Sequence, residues 1–296
     1  MYTATLSKSA FEKLKKFEPG KNIPNTECEL FIKGSLRSKN KERILLKKYY
    51  VREGEYFGRK LKNLNTLIYY KNILGEIREL VLPDKLAIID GEIVGYTMPF
   101  IEKSKNLQTI LNSDISLEDK LVYLRQIGTI LEEIKNIKDF PYDFHIGDLH
   151  EGNFLIDETN SLKVVDLDSA YIGQDEPSHT AYYLLKNSYL ESFPSKYKKS
   201  SSGLIIPSNE TDLYCYNMIL LDFLSGEAMY KKDLDIFYKY LSHLKDIGID
   251  SELIRIFQSI YFSNFNQNPF SLLKTISVNL RKDMSYQTFK KKYKLK

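Results

Sequence analysis

Asp148, Asn153 and Asp166 are the side chains of this chain most able to act together. Asp148 and Asn153 are five residues apart, and Asp166 follows thirteen further on. Between them, residues 154–157 and 162–165 are apolar runs joined by a polar turn, the pattern of a short β-hairpin. A hairpin returns to where it began. Asn153, before its first strand, and Asp166, after its second, are therefore expected to meet. An amide oxygen and a carboxylate at one point suit a hard divalent cation such as Mg²⁺, whose remaining ligands are phosphate oxygens. Asp148 lies on the loop that leads into the hairpin, placed to orient or deprotonate an attacking hydroxyl. His145 and His150 stand in the same stretch. Five apart, they do not share a helix face and have no third ligand nearby, so the spacing argues against zinc and for hydrogen bonds that order the loop.

These residues need elements to hold them. Upstream, residues 28–33 and 43–50 read as strands separated by a polar, Lys-rich turn at 34–41. A helix is predicted over 55–70, with Phe57, Leu61, Leu64, Leu67 and Ile68 on one face. Strands at 86–90 and 93–101 follow, joined at Gly91-Glu92, and one more strand is expected near Phe17. The order is β-β-α-β-β. Residues 116–136 carry Leu117, Leu121, Leu124, Ile127, Leu131 and Ile134 at helical spacing, opened by Ser116 with Asp119 three later, an approximate capping box. That helix leads into the Asp148 loop. A long polar stretch, 173–208, comes after Asp168, and a further helix is predicted over 211–226.

The 296 residues are 43% hydrophobic, enough for one large domain or two lobes. Two cysteines, Cys28 and Cys215, give neither a disulfide framework nor metal-ligand spacing, which suits a reducing cytoplasm. The N-terminal stretch has no apolar signal core, and no run is long and apolar enough to span a membrane, so neither secretion nor a membrane span is expected. The net charge of +4 comes from the C-terminal Lys290-Lys291-Lys292-Tyr293-Lys294-Leu295-Lys296. That tail is read as a solvated, frayed end, and no nucleic-acid partner is expected.

Gly147-Asp148 with Asn153, followed by Asp166-Leu167-Asp168, resembles the catalytic and metal-binding loops of the protein-kinase-like superfamily, H-R-D-x-x-x-x-N and D-F-G. The likeness covers about residues 15–280, with its strongest motifs in 145–168 and 211–226. It implies an α+β, two-lobed fold. Residues 1–101 would be an N-lobe with a small antiparallel sheet and one helix. Residues 102–285 would be a larger, mainly helical C-lobe, and 286–296 a basic tail. It implies ATP and Mg²⁺ as cofactors, Asp148 as catalytic base, and Asn153 and Asp166 as metal ligands, with Asp168 helping at a second metal. In that family a lysine on the third strand holds the α and β phosphates. Ile44-Leu45-Leu46-Lys47 is similar, and Lys47 is chosen over Lys48, which alternation puts on the opposite face. A slip of one residue would exchange them. Residues 96–101 would form the hinge, where Met98 and Phe100 either line the adenine pocket or belong to the ordinary core. Asp212, at the start of the 211–226 helix, would brace the catalytic loop. Residues 266–273 are similar to the R-P-S-x-x-x-L-L closing segment, without its arginine.

The chain also departs from the pattern. No G-x-G-x-x-G precedes the second strand; residues 21–27 stand there instead, and Pro24 offers no N–H. The helix glutamate that pairs with the lysine is missing: the usual separation falls near Asn65 and Thr66, and Glu76 comes too late. G-D-L-H-x-x-N and D-x-D resemble aminoglycoside and choline kinases, whereas 211–226 and 266–273 resemble protein kinases. The reading favoured is a bacterial or phage-type serine/threonine protein kinase acting on a protein hydroxyl. The alternatives are a small-molecule kinase and a pseudokinase scaffold.

Overall fold

The computed structural model describes residues 2–18, 27–33, 43–173, 177, 183, 198–262 and 268–295. Residues 21–26 and 34–41, most of the 173–208 stretch and residues 266–267, on which several expectations fall, lie outside them. The chain is α+β. Six strands, β1 (Thr3–Leu6), β2 (Lys15–Phe17), β3 (Cys28–Lys33), β4 (Ile44–Tyr49), β5 (Lys85–Ile89) and β6 (Glu92–Pro99), form one sheet in the order β1-β5-β6-β4-β3-β2. The sheet is mixed rather than antiparallel as expected, because β1 pairs parallel to β5. No residue of β1 is fully buried, so it carries no alternating signal, and its partner lies far along the chain.

The helix α1 (Lys8–Phe11) follows β1. Helix α2 (Gly54–Tyr69) packs Phe57, Leu64, Leu67 and Ile68 inward, close to the predicted face, and the short α3 (Lys71–Leu74) extends it. After β6 come β7 (Lys105–Asn106), α4 (Leu107–Leu111) and α5 (Leu117–Lys135). Ser116 caps α5 as its sequence suggests, its side chain accepting from the Asp119 N–H at 3.1 Å. The segment that follows holds β8 (Phe144–His145), the hairpin β9 (Phe154–Ile156) and β10 (Leu162–Val164), and β11 (Tyr171–Ile172). The hairpin pairs antiparallel as predicted, with Phe154 opposite Val164. Then come α6 (Asn209–Ser225), α7 (Leu234–Asp246), α8 (Ser251–Phe262), α9 (Val278–Met284) and α10 (Tyr286–Tyr293). The basic tail is thus not a frayed end. It is largely the helix α10, pinned by the buried Phe289 against Tyr240 of α7.

The apolar interior falls into a large cluster around α5, α6 and the hairpin, and smaller ones on the two faces of the six-stranded sheet. The two sides meet at β10. Val164 is buried in the large cluster, while its neighbour Val165 packs against the sheet cluster of Leu45, Tyr96 and Met98. Val164 also bonds to residues 79 and 81 through both its backbone groups, at 2.8 and 2.9 Å. Asp166 is the next residue, so it emerges at the seam between the clusters.

Candidate active site

Helix α6 fixes the loop that carries Asp148. A reciprocal capping box between Ser208 and Thr211 sets the first turn, which places the buried Asp212 beneath the loop. Its carboxylate accepts the backbone N–H groups of Ile146 at 2.9 Å and Gly147 at 3.2 Å. Burial pushes the Asp212 carboxyl up to about 7, against the pull of those two bonds. Gly147 adopts φ +76°, and a Cβ there would stand 3.0 Å from the Ser169 carbonyl oxygen. A left-handed backbone against a neighbouring carbonyl is a place for glycine, which is the physical reason no arginine precedes Asp148.

His150 orders the loop through one ring nitrogen. Its Nδ1 accepts the Gly152 N–H at 3.0 Å, so in the neutral ring the proton is on Nε2. That nitrogen faces Asp148 Oδ2 at 3.7 Å. His145 is different. Burial depresses it to about 4, with Asp143 opposing, and its ring stacks on Tyr171 across the β8–β11 pair. Asn153 is buried, and its Nδ2 donates to the Asp148 carbonyl at 2.9 Å. The donation fixes the amide's orientation and leaves Oδ1 without a hydrogen-bond partner among the described residues. Its own carbonyl accepts the Val165 N–H at 2.9 Å, which ties the Asp148 loop to the residue before Asp166.

Asp166 has φ +66° at the exit of the hairpin and opens a 3-10 turn, Leu167–Ser169. Its side chain is 40% exposed and pairs with the Lys47 ammonium. Lys47 projects from β4 and is buried. Lys48 points to the other face, toward Glu29 at 3.4 Å and over the Phe11 ring. The structure therefore brings Lys47, and not Lys48, to the hairpin exit. Burial alone would lower the Lys47 ammonium, but Asp166 and Asp168 outweigh it and hold it well above its ordinary range. Partial desolvation at the hairpin exit raises the Asp166 carboxyl, with Lys47 opposing and the like charge of Asp168 adding to the rise.

Asp168 departs from its expected part at a second metal. Its side chain has no exposed surface, and four donors fill its oxygens. Lys47 Nζ (3.0 Å) and Tyr96 Oη (3.1 Å) reach Oδ1; Lys60 Nζ (3.1 Å) and Tyr49 Oη (2.6 Å) reach Oδ2. A carboxylate has about four acceptor sites, so none is left for a cation. The missing helix acid is also accounted for. Helix α2 has one acid, the exposed Glu55, while Glu76 lies exposed beyond α3. Its buried face presents Lys60 instead, which also holds Glu27 Oε2 at 2.6 Å.

Sequence reasoning missed Lys60, Tyr49, Tyr96 and Glu27. Lys60 left a signal: it falls in the apolar stripe with Phe57, Leu64 and Leu67, where a charge needs a buried partner. Met98 is buried with Leu45 and Tyr96, and the partly buried Phe100 packs edge-to-face on Phe17 at 5.3 Å. Both join the apolar cluster that Val165 borders.

Asn153 and Asp166 fit a hard divalent cation: one offers a directed amide oxygen, the other a partly exposed carboxylate. Among the described residues no group of three or more His, Cys, Asp or Glu side chains could hold a metal unaided. A cation here would take its remaining oxygens from water or from a bound ligand. The chain matches no protein-family model, and no curated protein matches it. Among the described residues, no helix is long and apolar enough to cross a membrane.

Proposed function

We propose that this protein is an ATP- and Mg²⁺-dependent phosphotransferase of protein-kinase-like, two-lobed architecture, acting on serine or threonine hydroxyls of a protein. The observation that carries the reading is the meeting of three distant pieces of chain. Lys47 from β4 reaches Asp166 at the hairpin exit, while Asn153 ties that exit to the Asp148 loop.

Each residue then has a task. Lys47 binds the α and β phosphates. Asn153 and Asp166 hold Mg²⁺, which when bound supplies charge neutralisation at the β and γ phosphates. The partly buried Phe100 and Val165, packed on the cluster that holds the buried Met98, offer apolar surface that suits the adenine ring. Asp148 accepts the proton of the acceptor hydroxyl as that oxygen bonds to the γ phosphorus. The bond from the γ phosphorus to the β–γ bridging oxygen breaks, and ADP leaves. His150 lies beside Asp148, its Nε2 3.7 Å from Oδ2. Catalysis of this kind is mainly positioning, which a nearly neutral body can supply when its few charges converge.

The test is incubation with γ-labelled ATP, Mg²⁺ and a generic protein substrate, comparing wild type with Asp166→Ala. Label on protein in the wild type alone supports the reading. Turnover stimulated only by small alcohols or amines moves the acceptor to the small-molecule class. Nucleotide binding with no turnover makes the chain a scaffold.

A further inference from the structure

In this molecule the buried carboxylate beside Lys47 belongs to the hairpin exit, and the buried cation beside it belongs to the helix. Lys60 is 1% exposed, one of the most enclosed charged side chains described. Its ammonium lies within 5.3 Å of the Tyr49 ring centre and 5.1 Å of the Tyr56 ring centre. It bridges Glu27, at the start of β3, and Asp168. Three residues further along α2, Asn63 donates to the Ala170 carbonyl at 2.7 Å, so the same helix face grips the chain on both sides of Ser169.

We propose that Asp168 takes the part of the absent helix acid and positions Lys47 for phosphate, and that Lys60 of α2 is the positioning residue that holds Asp168 in place. The proposal rests on the phosphotransferase reading above. Lys47 has two anionic partners of unequal kind. Asp166 is partly open to solvent and is the group that would turn to a divalent cation, whereas Asp168 is closed in on every side. Were Asp166 to turn to a cation, Lys47 would keep Asp168 as its anchor and gain phosphate oxygens as its second partner. A buried ammonium needs such continuity, because stripping its anions is costly. Asp168 can serve only while its other oxygen is satisfied, and Lys60 and Tyr49 do that. The ion pair that couples helix to strand lysine thus runs in two steps, helix cation to loop carboxylate to strand cation. Any shift of α2 displaces Asp168, and Lys47 with it.

The experiment is steady-state kinetics in ATP for wild type, Lys60→Met, Lys60→Arg and Asp168→Asn, and for Lys60→Met combined with Asp168→Asn. The melting temperature of each is recorded. Because Lys60 is enclosed between Glu27 and Asp168 and the reading gives it no phosphate contact, Lys60→Met should lower kcat ~10-fold or more while moving KM for ATP less than ~3-fold. Lys60→Arg should restore most of kcat. In the Asp168→Asn background, Lys60→Met should add little, because both changes cut one chain of contacts. Wild-type kcat in a folded Lys60→Met protein overturns the proposal, and so does a full additional loss in the double variant. If Lys60→Met does not fold, Tyr49→Phe removes the other donor from the same oxygen with little change of volume. It should then lower kcat several-fold at nearly unchanged KM, and wild-type kcat there overturns the proposal equally. Wild type that neither binds nor turns over ATP sinks the phosphotransferase reading and this inference together. Turnover by wild type that is insensitive to Lys60 sinks the inference alone.

Discussion

Asp148 owes its surroundings to two neighbours that use their own backbone contacts to reach it. His150 accepts the Gly152 N–H and so turns its other nitrogen to the carboxylate; Asn153 donates to the Asp148 carbonyl and so keeps its amide oxygen for a ligand. Together they orient the imidazole and the amide around the loop. In the proposed reaction Asp148 acts on the acceptor and not on the nucleotide. Asp148→Asn is therefore expected to lower kcat ~100-fold or more, the usual scale for a lost general base. Affinity for ATP should stay near that of wild type, as read by titration with a fluorescent ATP analogue. Unchanged turnover would remove Asp148 from the chemistry.

At the scale of elements, the loop before Asp148 depends on two placements. Asp212 satisfies two buried N–H groups, and an amide in its place offers one acceptor only. Asp212→Asn should cost about 1–3 kcal/mol for the orphaned donor, seen in denaturant unfolding, and should lower turnover through the loop. Gly147→Ala meets both a left-handed backbone and the Ser169 carbonyl, and should cost about 1–2 kcal/mol or more. A Gly147→Ala protein as stable and active as wild type would show that the turn is not held as described.

These elements were legible to different degrees. The hairpin and α5 announced themselves, because apolar spacing and a serine cap are local signals, and both recur in the structure within a residue or two. The choice of Lys47 rests on the likeness of Ile44-Leu45-Leu46-Lys47 to the kinase strand, and alternation adds only that Lys48 faces the other way. β1 left no such trace, since its neighbour in the sheet, β5, lies far along the chain. The kinase resemblance implies a second metal at Asp168, yet its partners come from β4, α2 and β6, and only packing brings Tyr49, Lys60 and Tyr96 around one carboxylate. The α10 helix was read as tail because lysines dominate it. Its anchoring rests on the aromatic Phe289 and Tyr286, which sit between the charges.

In the whole molecule, the sheet cluster and the larger helical cluster meet where β10 ends, and the charged network of Lys47, Asp166, Asp168 and Lys60 lies along that seam. His145 contributes to the stability of the same region. Its folded value near 4 is below the ordinary 6.5, so the unfolded chain takes up a proton first as the pH falls. The contribution is whole above about 6.5 and is lost toward about 4. His145→Gln carries no such proton, so the melting-temperature gap between wild type and variant should shift in the variant's favour from pH 7 to pH 4.5. A gap that does not change with pH would mean the ring is not held neutral.

The central claim is that a magnesium–triphosphate is what Lys47, Asn153 and Asp166 are arranged to receive. Isothermal titration of the protein with ATP, with and without Mg²⁺, on wild type and Asp166→Ala, addresses it most directly. The expected result is binding that tightens with Mg²⁺ in wild type and loses ~10-fold or more of that gain in the variant. Equal affinity with and without the metal, equal affinity in the variant, or no heat of binding at all would contradict it.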